Sequence, residues 1–187
     1  MELALSLLGE TEVSLNGNMI DDLCAEKAQA LLFYLAVESD RAHRREFLAE
    51  LFWPEKPPGF GRNSLKQALS QLKKALGDQG SDTPYLISSK RDLQFNTGSS
   101  HQVDVLQFEE ISAQVRKHCG SDQSQCDKCL LLLRDSSDLY RDDFLADFYL
   151  SDSPEFNEWV LAKREAYKRI MAENLARMAK YYEEKAD

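Results

Sequence analysis

Residues 3–8 and 12–15 alternate or run apolar, punctuated by Gly9 and by Asn16-Gly17-Asn18. Stretches of this period and length predict strands. The Asn-Gly pair predicts a tight turn, because both residue types tolerate positive φ, and Met19-Ile20 can supply a short third strand. At Ala25 the period changes. Ala28, Leu31, Leu32, Leu35 and Ala36 fall at helical spacing and predict a first helix over residues 25–37. After a turn at residues 39–42, Phe47, Leu48, Leu51 and Phe52 share one side of a second, short helix over residues 44–53. Pro54, Pro57, Pro58 and Gly59 stop it. The third helix, residues 62–76, is the most regular: Leu65, Ala68, Leu69, Leu72, Ala75 and Leu76 make its apolar face, and Gly77 is its C-terminal stop. Residues 85–88 and 93–95 then predict a hairpin with Ser89-Lys90-Arg91-Asp92 at its tip. Strands, three helices and a basic-tipped hairpin follow the order of a winged helix with an N-terminal sheet.

Thr97-Gly98-Ser99-Ser100 is a composition shift and marks the expected boundary, giving a winged-helix domain over residues 1–98 and an all-α, tetratricopeptide-like domain over residues 99–187. The fold class expected is therefore α+β followed by all-α. In the second part, Val105, Phe108, Ile111 and Val115 predict a helix over residues 103–118 that Asp104 opens. Leu130, Leu131, Leu133 and Leu139 predict another over residues 125–140. Residues 142–150 read as an irregular, partly buried connector. Ser153-Pro154 opens a last helix running to about residue 184, with Ser as N-cap and Pro in the first turn. No stop signal closes the chain, so a longer polypeptide is expected. No 34-residue internal repeat is visible.

Charge changes the picture locally. The 187 residues carry a formal net charge of -9, which excludes a protein that coats nucleic acid by overall charge. Between Gly61 and Arg91, however, six Lys and Arg stand against two Asp. The third helix contains no acid at all. Arg41, Arg44 and Arg45 form a second basic knot. Solvated faces often carry such runs, so the element that bears them matters more than the count. Hydrophobic residues make up 43% and charged residues 29%, a globular composition. No apolar run approaches membrane length, no signal peptide opens the chain, and four cysteines are too few for a disulfide framework. The expectation is cytoplasmic.

Several separated motifs resemble bacterial transcriptional activators of the Streptomyces antibiotic regulatory protein type. They are Leu7-Leu8-Gly9 with Val13 and Asn16-Gly17, the run from Lys27 to Ala36, Arg45-Glu46-Phe47-Leu48-Ala49 and Leu51-Phe52-Trp53-Pro54. The stretch from Arg62 to Gly77 is similar to the family's recognition helix. Val103-Asp104-Val105 with Phe108, the run from Leu139 to Leu145, and Glu155-Phe156-Asn157-Glu158-Trp159 with Arg164-Glu165 are similar to its second domain. The resemblance implies an OmpR-type winged helix followed by a helical bacterial transcriptional activator domain, with activation from direct repeats in DNA. It implies contact with RNA polymerase or a second protomer.

A winged helix lays its third helix in the major groove. The helical wheel then turns Asn63, Gln67, Ser70 and Lys74 to the bases, where Asn and Gln can pair with adenine edges. Arg62, Lys66 and Lys73 flank that stripe and suit phosphates. Lys90 and Arg91 at the hairpin tip would reach the minor groove or its backbone, and Arg44 and Arg45 the flanking phosphates. Gln71, Lys73 and Lys74 stand where many relatives carry more Arg. Lysine neutralises phosphate but cannot form the two-point contact to guanine.

His118-Cys119 and Cys126-Asp127-Lys128-Cys129 form a second candidate site. A Cys-x-x-Cys pair with a nearby His and a further Cys can hold structural zinc, act as a redox-sensitive pair, or pack as plain thiols. Cys24 reads as a buried packing residue, and His43 and His101 as surface residues. No phosphate loop, dinucleotide fingerprint or Ser/His/Asp set is present. Gly59-Phe60-Gly61 reads as loop and Asp142-Asp143 as an acidic turn. The sequence thus predicts a non-enzymatic DNA-binding regulator, with a protein-interaction module built on a winged-helix scaffold as the alternative.

Overall fold

The computed structural model describes residues 1–20, 23, 25–57, 59–119 and 126–186. In chain order its elements are β1 (Leu3–Ser6), β2 (Glu12–Leu15), β3 (Asn18–Met19), α1 (Glu26–Val37), β4 (His43–Arg44), α2 (Arg45–Phe52), α3 (Phe60–Ala75), β5 (Leu86–Ser88), β6 (Asp92–Phe95), β7 (His101–Val103), α4 (Asp104–Cys119), α5 (Asp127–Leu139) and α6 (Pro154–Ala186). They divide into two compact units. The first holds Met1–Leu5, Glu12–Val103 and Phe148–Trp159; the second holds Ser6–Thr11, Asp104–Asp147 and Val160–Asp187. Where the sequence predicts a single cut after residue 98, the two units interleave along the chain.

In the first unit, one sheet has the order β3-β2-β1-β7, with β7 parallel to β1. Asn16 (φ 54°) and Gly17 (φ 78°) close the β2–β3 hairpin. Positive φ at both central residues is the turn whose twist matches the flanking strands. The second sheet, β4-β6-β5, is antiparallel. It makes the wing, and α1, α2 and α3 complete the winged-helix order.

Burial on α1 runs without a break from Ala30 to Val37, not on one face as its periodicity suggests. The segment Phe148–Trp159 explains much of this. Phe148 meets Phe33 edge-on at 5.4 Å, and Trp159 lies 4.9 Å from the Tyr34 ring. Phe156 packs 5.3 Å from Phe52. The last carbonyl of α2, Phe52, accepts from Lys27 Nζ at 2.6 Å and from Ser153 Oγ at 3.0 Å. A cation at an orphan helix-end carbonyl satisfies both its hydrogen bond and the negative pole of the helix. The Ser153 hydroxyl thus donates to the end of α2, while Ser153 stands directly before Pro154, which begins α6 as expected.

Two further expectations are corrected here. His43 is buried at 4% exposure, its Nε2 2.8 Å from the Glu38 carbonyl and its ring 5.2 Å from that of Tyr34. Placing it in β4, which the sequence does not reveal, turns its side chain inward. His101 is half-buried, with its ring edge-on to Phe95 at 4.9 Å. Gly59-Phe60-Gly61 is not all loop either: Gly59 (φ 96°) precedes α3, which starts at Phe60, two residues earlier than the apolar pattern indicates.

The second unit is helical. Val105, Phe108 and Val115 of α4, Leu130 and Leu133 of α5, and Val160 and Tyr167 of α6 are buried in it. Leu131 instead is 59% exposed. Asn174 Nδ2 donates to Ser112 Oγ and Ser136 Oγ, each at 2.9 Å, so one buried amide links α4, α5 and α6. The connector is partly buried as expected, with Phe144 and Leu145 inaccessible to solvent. Leu145 holds φ 50°, a conformation that costs a branched residue energy. Arg164 stabilises it by donating to the Phe144 carbonyl at 2.7 Å and to that of Leu145. Asp104 accepts from the backbone N–H groups of Leu7 (2.8 Å), Leu8 (2.9 Å) and Val105 (2.7 Å). Burial still holds its carboxyl above the usual carboxylate range, against the opposing pull of those three donors. Among the described residues, no helix is long and apolar enough to cross a membrane.

Candidate nucleic-acid interface

The side chains Asn63, Lys66, Gln67, Ser70 and Lys74 all lie exposed on α3, while Leu65, Ala68, Leu69 and Leu72 are buried on its other side. The amphipathic reading of this helix therefore holds, apart from Ala75, which is half-buried. Its C-terminus is closed by Gly77 (φ 69°): Asp78 N–H donates to the Lys73 carbonyl at 2.8 Å and Gly77 N–H to that of Lys74 at 3.3 Å. This paired 6→1 and 5→2 closure is the glycine-dependent stop of a helix.

Asp78 then does something the sequence reading passed over. It is 6% exposed, and its carboxylate accepts from Tyr85 N–H at 2.7 Å and Leu86 N–H at 2.9 Å. The residue that ends α3 thus fixes the start of β5, and with it the angle between helix and wing. At the wing tip, Ser89 Oγ accepts from the N–H groups of Arg91 (3.0 Å) and Asp92 (2.9 Å). A Ser three residues before an Asp across a hairpin is a readable signal for such a turn.

The basic residues converge. Arg45, Lys66, Ser70, Lys73 and Lys90 line one concave surface of about 610 Å³ together with Leu69, Gln79, Ser88 and Ser89. No acid lines it. Arg45 is held there by its own N–H to the Arg91 carbonyl (2.8 Å) and by Nε to the Ser89 carbonyl (3.0 Å). Lys73 Nζ donates to Ser88 Oγ at 2.8 Å. Three elements that the sequence lists separately — the start of α2, the middle of α3 and the wing tip — therefore share one face.

Arg44 and Arg62 differ from the others. Arg44 pairs with Asp92 at 3.6 Å and Arg62 with Glu46 at 3.1 Å, all four side chains being well exposed. Exposed pairs of this kind contribute little, and a phosphate could displace either acid. Among the described residues, Lys66, Lys74, Lys90 and Arg91 have no ion-pair partner. Arg91 is exposed at the tip beside Lys90.

In the second unit, the ligand atoms of His118, Cys126 and Cys129 lie within 4.8 Å of one another. Cys126 is a free thiol, whereas Cys129 is disulfide-bonded. The side chain of Cys119, the fourth residue of this candidate set, lies outside the described residues, as does Cys24. Asp143 forms an ion pair with Lys168 at 2.8 Å.

No known family profile matches the chain, and no curated protein matches it. Among solved structures it is similar to Mycobacterium tuberculosis EmbR in complex with a low affinity phosphopeptide. The TM-score is 0.72 at 21% identity, over 94% of this chain and 46% of that one. The chain thus spans about half the length of EmbR, and it shares the fold of the matched part.

Proposed function

We propose that the protein is a DNA-binding transcriptional regulator, with α3 in the major groove and the wing on the neighbouring backbone. The observation that carries this reading is the acid-free concave face on which Arg45, Lys66, Ser70, Lys73 and Lys90 meet. The fold shared with EmbR supports it. Exposed Asn63 and Gln67 supply the two-point groups that read adenine, and Lys74 extends the same stripe. Lys66, Lys73, Lys90, Arg91 and Arg45 contact phosphates, joined by Arg44 and Arg62 once their surface acids, Asp92 and Glu46, are displaced. In this reading the acidic second unit transmits regulation or meets RNA polymerase or a second protomer, and the protein works as a cytoplasmic activator.

Counterion release gives the test its magnitude. Seven phosphate contacts give a salt slope of about -6, or about a four-thousandfold loss of affinity between 50 and 200 mM salt. Fluorescence anisotropy on fragments selected from a genomic library should show that slope. Replacing Lys66, Lys73 and Lys74 together by Glu should remove binding with the helical circular dichroism intact. A flat salt response, or unchanged affinity in the triple variant, would sink the assignment and favour a protein-interaction module.

A further inference from the structure

We infer that His118, Cys126 and Cys129 form a zinc site when the chain is reduced, joining the end of α4 to the start of α5. Two thiols and an imidazole are the donors that select Zn²⁺ over harder cations. Their ligand atoms already lie within 4.8 Å of one another. A tetrahedral ion with thiolate bonds of about 2.3 Å draws two sulfurs to about 3.8 Å, so closure needs shifts of about 1 Å or less. Cys126 Sγ also accepts from Cys129 N–H at 3.4 Å as the N-cap of α5, which fixes the relation of the two sulfurs.

A second observation concerns the two sulfurs. Arg177 Nη1 is buried and has no hydrogen-bond partner among the described residues. Arg177 lines a cavity of about 10 Å³ together with Cys126 and Cys129, which His118 does not line. Buried unsatisfied donors are rare, and a thiol or disulfide sulfur is a weak acceptor. A metal-bound thiolate is a charged one. The orphan guanidinium is thus explained if both sulfurs carry negative charge, and it becomes a second layer of support for the ligands.

The disulfide at Cys129 makes the site conditional. A dithiol reductant gives two electrons and two protons to that disulfide and itself becomes a disulfide. Zn²⁺ then takes the places of the thiol protons of Cys126 and Cys129, releasing two protons for each ion bound. The oxidised chain, lacking the Cys129 thiolate, has no such site.

Cobalt titration of the whole chain tests this. Reduced protein should develop a thiolate charge-transfer band and tetrahedral visible bands that saturate at one ion per chain and are bleached by zinc. Cys126→Ser and His118→Ala, at half-buried and exposed positions that should leave folding intact, should each weaken zinc at least tenfold. Arg177→Met should weaken it about tenfold, as loss of an outer partner does. Absence of the bands in reduced protein, their persistence in Cys126→Ser, or equal binding by the oxidised chain would overturn the inference.

Discussion

Asn174 shows how one side chain can organise the second unit. Its amide donates to Ser112 and Ser136, both at 0% exposure. Replacing it by Ala should destabilise the protein by about 2–3 kcal/mol in urea denaturation, through lost hydrogen bonds and the cavity left behind. Tyr140 offers a spectroscopic counterpart. Burial, with help from the Asp143 carboxylate, pushes its phenol up to about 12, while its ring packs 5.6 Å from Phe108. Between pH 10 and about 12 the native state keeps a proton that the unfolded chain gives up, so stability falls as pH rises through that window. In a tyrosinate absorbance titration, Tyr140→Phe should remove a phenol that ionises at about 12. None of this was legible in the sequence. An Asn on a helix looks like a solvated residue until its neighbours are known, and His43 looked exposed for the same reason.

At the scale of elements, hydrophobic period located every helix, because each had enough turns for the pattern to repeat. It missed β4 and β7, strands of two and three residues whose existence depends on partners far along the chain. β7 pairs Leu3 with His101 and Leu5 with Val103, and no local window contains both. The same limit applied to the interface. The exposed stripe of α3 followed from its spacing, but its convergence with Arg45 and Lys90 did not, because the angle between helix and wing is set by Asp78. Asp78→Ala would leave the Tyr85 and Leu86 N–H groups without their acceptor. The expected loss is about 2–4 kcal/mol, and DNA affinity in the surviving folded protein should fall with it as the wing leaves its place. Denaturation and anisotropy on one preparation check both; full stability would show that Asp78 does not hold the wing.

At the scale of the whole molecule, the net charge of -9 no longer argues against DNA. The proposed contact face is cationic, and acids elsewhere would repel DNA from other faces, favouring one orientation. The units also depart from a simple bead-on-string arrangement, because Phe148–Trp159 belongs with the first unit. A chain ended at Val103 loses Phe148, Phe156 and Trp159 from around Phe33, Tyr34 and Phe52, along with the Ser153 and Asp152 contacts of the α2 end and Lys27. It should melt well below the intact protein, or fail to fold. A Tm equal to that of the whole chain would mean that the returning segment is dispensable.

That return also orders events during synthesis. A ribosome making about 5–20 residues per second needs about 3–11 s to go from Val103 to Trp159. Throughout that interval the aromatic surface around Tyr34 waits uncovered for a segment not yet translated. The nascent chain therefore passes through a stage at which the would-be DNA reader has been made but cannot be finished, and chaperones have the greatest hold on it then.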